Sequence, residues 1–186
     1  MTREEALALV EKYTKNRNLV RHMLATEAVM GALAQRLGGD KQSWELAGIL
    51  HDADYEYVKT DISRHIHQTC EWLKGYDVSS EVVDAIKSHA WKRVPDAPMP
   101  KTLMDWSLYT SDELTGLIVA VALVKGGKIS EVSVESVMKK WHQKDFASGV
   151  DRLQIEYCQE KLGIELEDFV AIALKAMQSI ANELGL

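Results

Sequence analysis

The sequence predicts an all-α fold, and three observations support this prediction. Apolar residues recur at spacings of three and four along most of the chain, as on the buried face of a helix. Helix-capping residues and glycines separate these segments, and the only three prolines, Pro95, Pro98 and Pro100, lie in one cluster. Alternation of apolar and polar residues, which would indicate strands, is scarce.

Each predicted helix has an identifiable start or end. Ser, Thr and Asp side chains accept hydrogen bonds from free N–H groups at a helix start, and glycine is typical of a helix end. The first three predicted helices run from Thr2 to Lys15 with a Thr2-Glu5 capping box, from Leu19 to Leu37 with Gly38-Gly39 at its end, and from Asp40 or Ser43 through Leu50. The next three run from Ser63 to Gly75, from Ser79 or Ser80 to His89, and from Thr102 to Val124. The last three run from Ser133 to Gln143, from Gly149 to Leu162 with a Ser148-Asp151 capping box, and from Glu165 to Leu184. Residues 52–62 have no apolar period and are predicted to form a loop.

Length and composition predict a single domain. The chain has 186 residues, of which 46% are hydrophobic and 27% charged, which is ordinary for a globular protein and excludes a disordered one. The weakest seam in the chain runs from Gly126 to Ser130 and begins with the glycine pair Gly126-Gly127. We therefore expect one domain over residues 1–186, with a core at about residues 18–125 and a C-terminal helical extension at about 126–186.

Charge and cysteine content limit the partners and the compartment. The net charge of −6 disfavours binding to nucleic acid or to an anionic membrane, because both need a basic surface. Cys70 and Cys158 are too few for a disulfide-stapled scaffold. The longest uncharged apolar stretch, Leu114 to Val124, is shorter than the roughly 20 residues of a membrane span, and the first residues do not resemble a signal peptide. We expect a cytoplasmic monomer or homodimer.

Several histidines and aspartates are candidate metal ligands. An apolar helix ends in His51-Asp52, which brings an imidazole nitrogen and a carboxylate oxygen to one point, and both suit divalent metals. Further candidates lie on or at the ends of other predicted helices, beside apolar residues: His22, His65, His89 and Asp112. Any one histidine of this kind is more often a hydrogen-bonded core residue, so it is the complete set that indicates a metal site.

The order His22, His51-Asp52, His65, His89, Asp112 on a helical chain resembles the HD-domain metal-dependent phosphohydrolase superfamily, in particular its small stand-alone bacterial and archaeal members. Residues 46–52 are similar to the helix that carries the His-Asp pair of that superfamily, and residues 111–116 match the place of its last Asp. The resemblance covers about residues 18–125 and implies an HD-domain helical bundle with extra C-terminal helices. One departure is Ala53-Asp54, where many members have Ile-Gly.

The resemblance also implies a ligand set for one or two divalent ions (Fe, Mn, Zn, Mg, Co or Ni). A first ion would be bound by His22, His51, Asp52 and Asp112, and a second by Asp52, His65 and His89. His67 is an alternative to His65, which we prefer because it lies at a predicted helix start. Asp54 either orients a ligand histidine or caps a loop.

The function implied by the resemblance is hydrolysis of a phosphoester or phosphoanhydride by metal-activated hydroxide. The expected substrate is a small phosphorylated compound of the nucleotide class. Phosphomonoesterase, phosphodiesterase and dinucleoside-polyphosphate hydrolase activities all stay open. Asp52 and Arg64 are the predicted catalytic residues; Arg64 is selected from the basic residues because it precedes a proposed ligand. The other basic residues considered are Arg21, Lys87, Lys92, Arg93, Lys139, Lys140, Lys144 and Arg152. The alternative function is a non-catalytic metal- and nucleotide-binding regulatory module.

Overall fold

The computed structural model describes all 186 residues and contains ten α-helices, two single-turn 3-10 helices and no strand. The predicted all-α fold class is confirmed. The helices are α1 Arg3–Tyr13, α2 Arg17–Leu37, α3 Lys41–Leu50, α4 His67–Leu73, α5 Ser80–His89, α6 Leu103–Val124, α7 Val134–Trp141, α8 Arg152–Leu162, α9 Leu166–Ser179 and α10 Ala181–Leu184, with the 3-10 turns at Ile62–Arg64 and Ile129–Glu131.

Most predicted helix starts are confirmed. Thr2, Asp40, Ser79, Thr102 and Ser133 accept hydrogen bonds from first-turn backbone N–H groups of α1, α3, α5, α6 and α7, respectively. These caps join residues only three positions apart, so their chemistry is contained in a short stretch of sequence. That locality explains why the boundaries of these helices could be predicted.

The predicted start of α4 at Ser63 is wrong. The helix begins four residues later, after Ile66, whose φ of 67° lies in the left-handed region. The free N–H of Thr69 in the first turn of α4 donates to the Asp54 carboxylate at 2.8 Å. This capping group lies 15 residues earlier in the chain, so no local pattern indicated it.

Two predictions in the C-terminal part are also wrong. The Ser148-Asp151 capping box does not form, because Asp151 itself caps α8 and accepts the N–H groups of Leu153 and Gln154. The last predicted helix is divided into α9 and α10 at Ile180, whose φ of −118° and ψ of 23° are not helical. The prediction of helical structure in this region is otherwise confirmed.

Helix α6 lies at the centre of the molecule and contacts α2, α5 and α8. It is long and apolar enough to cross a membrane by length and composition, but 72% of its apolar window is buried within the fold, as in the core of a soluble protein. One hydrophobic core of 44 buried residues extends from Ala6 to Leu184, so α7 to α10 pack on the same core as the preceding helices.

The contact between α2 and α3 depends on the absence of a side chain at Gly48. A Cβ atom there would lie 2.7 Å from the Cα and 2.8 Å from the backbone nitrogen of Glu27, and 2.9 Å from the carbonyl oxygen of Thr26. The two helix backbones are therefore in direct contact at this point. His22 lies one turn before Thr26 on α2, and His51 lies one turn after Gly48, so the crossing brings both histidines to one place.

We expect the substitution Gly48→Ala to destabilise the protein by about 2–3 kcal/mol, because the added methyl group meets backbone atoms that cannot rotate away. Thermal unfolding followed by circular dichroism should show a Tm lower by about 4–12 °C. Gly116→Ala in α6 is the matched control, since its Cβ would have only one neighbour, at 3.9 Å. An unchanged Tm for Gly48→Ala would contradict the close helix crossing.

Candidate metal centre

The structure brings all six predicted metal ligands together in one cluster. They come from five separate parts of the chain: His22 from α2, His51-Asp52 after α3, His65 before α4, His89 at the end of α5, and Asp112 from α6. His51, His65, His89 and Asp112 are buried, while His22 and Asp52 are partly exposed. Convergence of these side chains requires the packing of α2 to α6, because no two of the five parts are adjacent in sequence.

The first half of the cluster contains His22, His51 and Asp112. The Nε2 atoms of His22 and His51 are 3.1 Å apart. Oδ1 of Asp112 lies 3.0 Å from Nε2 of His22 and 3.6 Å from Nε2 of His51. Oδ2 of Asp52 faces the same two nitrogens at 3.8 and 3.7 Å. Two imidazole nitrogens and two carboxylate oxygens therefore surround one point.

The second half contains His65 and His89, and it shares Asp52 with the first. The Nε2 atoms of His65 and His89 are 3.2 Å apart. Oδ1 of Asp52 lies 3.4 Å from the first of these nitrogens and 3.5 Å from the second. One oxygen of Asp52 thus faces each pair of histidines, and the carboxylate lies between them.

The backbone orients two of the four rings. Nδ1–H of His51 donates to the carbonyl oxygen of Gly48 at 2.7 Å, and Nδ1–H of His89 donates to that of Ile86 at 2.5 Å. Each acceptor lies three residues before its histidine, at a helix end where carbonyl groups are free. A neutral imidazole that donates through Nδ1 presents a lone pair at Nε2, so both lone pairs face the cluster.

Side chains orient the other two rings. Nδ1–H of His65 donates to Oδ1 of Asp54 at 2.7 Å, and Nδ1–H of His22 donates to Oγ1 of Thr115 at 3.1 Å. The Thr115 hydroxyl donates its own hydrogen to the carbonyl oxygen of Asp112 at 2.8 Å, so it acts as an acceptor toward His22. Asp54 therefore has one of the two roles considered for it, since it orients His65, and it caps helix α4 instead of a loop.

This arrangement fits divalent cations. Two nitrogen lone pairs about 3 Å apart repel each other unless a proton or a cation lies between them. Imidazole nitrogens that share a metal ion lie at such a separation, because each metal–nitrogen bond is about 2.0–2.1 Å long. Mixed histidine and carboxylate donors suit transition metals, and the outer hydrogen bonds from all four rings match the pattern that fixes metal-binding histidines.

The carboxylates strongly influence the proton on His51. Burial alone would lower the pKa of His51, but the negative charges of Asp52 and Asp112 outweigh it and raise the pKa to about 9. Burial lowers the pKa of His89, and the nearby His51 and His65 add to that effect. Burial raises the pKa of Asp52, but the charge of His51 and the hydrogen bond with His89 lower it well below its usual range. At neutral pH, the metal-free protein therefore holds a proton on His51, in the first half of the cluster.

Two residues considered from the sequence lie outside the cluster. His67 is exposed and its Nε2 pairs with Oδ1 of Asp96 at 3.1 Å, so the structure places His65, and not His67, among the candidate ligands. Arg64 is exposed and donates to Oε1 of Gln68 at 2.8 Å. Its guanidinium does not line the cavity beside the ligands, so the structure does not support the catalytic role predicted for it.

A cavity of about 580 Å³ opens beside the cluster. Its wall includes the candidate ligands His22, Asp52, His65 and Asp112, together with Tyr55, Ile62, Arg93, Val94, Glu113 and Gly149. Glu113 was missed as a site residue by the sequence analysis, whereas Arg93 was considered there but not selected. The position of Glu113, next to a candidate ligand in an apolar helix, was the available indication, because a buried carboxylate needs a partner.

The raised pKa of His51 predicts proton release when a metal binds. Below about pH 9 the proton on the His51 ring competes with the metal ion for Nε2. The metal affinity of the first half of the cluster should therefore rise with pH until the pH approaches that value. We expect about one proton per chain to be released at about pH 7.5 and fewer at about pH 9.5. Zinc titrations by calorimetry in buffers of different ionisation enthalpy measure this number.

The control follows the His51 ring by NMR in the metal-free protein. A ring signal that titrates near pH 9 should be present in the wild type and absent from His51→Gln. If every histidine signal titrates below about pH 7.5, the raised pKa of His51 and the charge arrangement that explains it are wrong.

Comparison with known families agrees with this geometry. The HD domain family matches residues 19–122, which is more than half of the chain. The matched region contains all six candidate ligands, from His22 to Asp112, and it ends near the C-terminus of α6. The family is associated with metal-dependent phosphohydrolases, and the clustered histidines and aspartates could hold a metal ion. The chain belongs to the HD-domain superfamily.

Proposed function

We propose that this protein is a metal-dependent phosphohydrolase acting on a small phosphorylated compound, with nucleotides as the first class to test. One observation carries the proposal: the two oxygens of Asp52 face two separate pairs of histidines. A carboxylate between two cation positions is suited to sites in which two metal ions act on one phosphoryl group. The adjacent cavity provides room for a substrate at the cluster.

The ligands divide between two proposed ions. His22, His51, Asp112 and Asp52 would bind the first, and Asp52 with His65 and His89 the second. Four imidazole nitrogens favour a transition metal over Mg²⁺, which prefers oxygen ligands. When bound, such ions polarise phosphoryl oxygens and lower the pKa of water.

The side chains of this protein contribute orientation and charge. Hydrolysis joins a water oxygen to phosphorus and breaks the phosphorus–oxygen bond of the leaving group, which takes up a proton. The low pKa of Asp52 keeps its carboxylate ionised at neutral pH, so it would serve as a metal ligand and not as the acid that protonates the leaving group. Its partly exposed position beside the cavity is consistent with the catalytic role predicted for it.

The test is phosphate or nucleotide release by protein loaded with Mn²⁺, Fe²⁺, Zn²⁺, Co²⁺, Ni²⁺ or Mg²⁺. The substrates are p-nitrophenyl phosphate, bis(p-nitrophenyl) phosphate, nucleoside mono- and triphosphates and a dinucleoside polyphosphate. We expect turnover that a chelator abolishes and that Asp112→Asn lowers by about 100-fold or more, because it removes a ligand of the first ion. Asp96→Asn is the matched control, since that exposed carboxylate pairs only with His67.

Three outcomes would contradict the proposal. Metal binding with no turnover of any substrate, but with measurable nucleotide binding, would favour the non-catalytic regulatory module. Failure to bind any of the six metals would remove both functions. Equal loss of activity in Asp112→Asn and Asp96→Asn would show that the activity does not come from this cluster.

A further inference from the structure

Arg93 is the only lysine or arginine that lines the cavity beside the candidate ligands. Other basic residues near the site are engaged elsewhere. The Lys92 ammonium lies 4.1 Å from the centre of the Trp91 ring and donates to the Tyr157 hydroxyl. The Arg152 guanidinium donates to backbone carbonyl groups, including that of Phe146 at 2.7 Å. Any anion in the cavity would therefore meet one guanidinium.

Two carboxylates fix the position of Arg93. Its Nη1 donates to Oδ2 of Asp112 at 3.5 Å, and its Nη2 pairs with Oε1 of Glu113. Oδ1 of Asp112 faces the histidines, so Arg93 lies directly beside the first half of the cluster. The side chain is 47% exposed, and its Nε–H has no partner in the protein. A guanidinium has five N–H donors, so Arg93 can bind an anion and keep both carboxylates.

Glu113 connects Arg93 to the C-terminal part of the chain. Its side chain is only 9% exposed, and Oε2 accepts the backbone N–H of Asp151 at 2.9 Å. Asp151 ends the loop between α7 and α8, and Arg152 fixes this loop through hydrogen bonds to the carbonyl groups of Trp141 and Phe146. Glu113 is thus fixed by the backbone on one side and orients the guanidinium on the other.

The charges around the cavity limit the negative charge that a bound substrate can carry. With the two proposed divalent cations bound, their positive charges and that of Arg93 would exceed the negative charges of Asp52, Asp112 and Glu113 by about two. A terminal phosphate group carries about two negative charges near neutral pH, whereas a triphosphate carries more than this cavity would balance. Tyr55 and Ile62, which are 43% and 47% exposed, supply an apolar surface for an uncharged organic group.

We propose that Arg93 binds the phosphoryl group of a phosphomonoester and that Glu113 positions Arg93 for this role. The inference rests on the proposed function, because it names the substrate class of the same site. It also predicts that bis(p-nitrophenyl) phosphate, whose single negative charge leaves the cavity unbalanced, is hydrolysed less efficiently than p-nitrophenyl phosphate.

The experiment compares wild type with Arg93→Gln, Arg93→Lys and Glu113→Gln, each loaded with the metal that binds best. Affinity for inorganic phosphate is measured by calorimetry, and kcat and KM are measured with p-nitrophenyl phosphate. We expect Arg93→Gln to weaken phosphate binding and raise KM by about 10- to 100-fold at unchanged metal content, and Arg93→Lys to restore part of the loss. Glu113→Gln keeps an acceptor for Asp151 but loses charge, so it should raise KM by a smaller factor at unchanged Tm.

Arg36→Gln is the matched control, because Arg36 is an exposed arginine on α2 that does not line the cavity. Unchanged phosphate affinity in Arg93→Gln, or no phosphate binding by wild type, would overturn the role of Arg93. A higher kcat/KM for the diester than for the monoester would overturn the substrate class. Absence of all turnover with phosphate binding that still depends on Arg93 would instead contradict only the proposed hydrolysis.

Discussion

The structure depends on one electrostatic constraint, which is the convergence of four imidazole Nε2 atoms and two carboxylates on a small volume. The nitrogens of each histidine pair lie 3.1 and 3.2 Å apart, and such pairs repel unless positive charge lies between them. The surrounding fold prevents the rings from turning away, because every Nδ1–H is fixed by a hydrogen bond to the backbone, to Thr115 or to Asp54. In the metal-free protein, the raised pKa of His51 supplies part of that charge as a proton.

The helices that form the cluster also determine what can reach it. The direct contact of α2 and α3 at Gly48 fixes His22 against His51, and the Gly48 carbonyl orients the same His51 ring. On the open side, Glu113 joins Arg93 to the backbone of the loop before α8. The family match ends at residue 122, so this loop lies outside the matched region but contributes Gly149 to the cavity wall. The loop before α8 therefore takes part in shaping the site.

Much of this arrangement could be predicted from the sequence, and the exceptions share a cause. The caps at Thr2 and Thr102 act over three residues, and the His-Asp pair follows an apolar helix, so local patterns were sufficient for both. The start of α4 was missed because Asp54, from 15 residues earlier, supplies its hydrogen bond. Arg64 was selected for its position beside His65 in the sequence, whereas the fold places Arg93 at the cavity. Which lysine or arginine side chain faces a site depends on tertiary contacts, which the sequence pattern does not show.

The central claim is that Asp52 lies between two metal positions, and crystals grown with Mn²⁺ test it most directly. Anomalous scattering measured near the manganese absorption edge locates the ions without assumptions about their ligands. We expect two peaks on opposite sides of the Asp52 carboxylate, one beside His22, His51 and Asp112 and the other beside His65 and His89. A single peak would remove the bridging role of Asp52, and no peak within the cluster would contradict the metal centre itself.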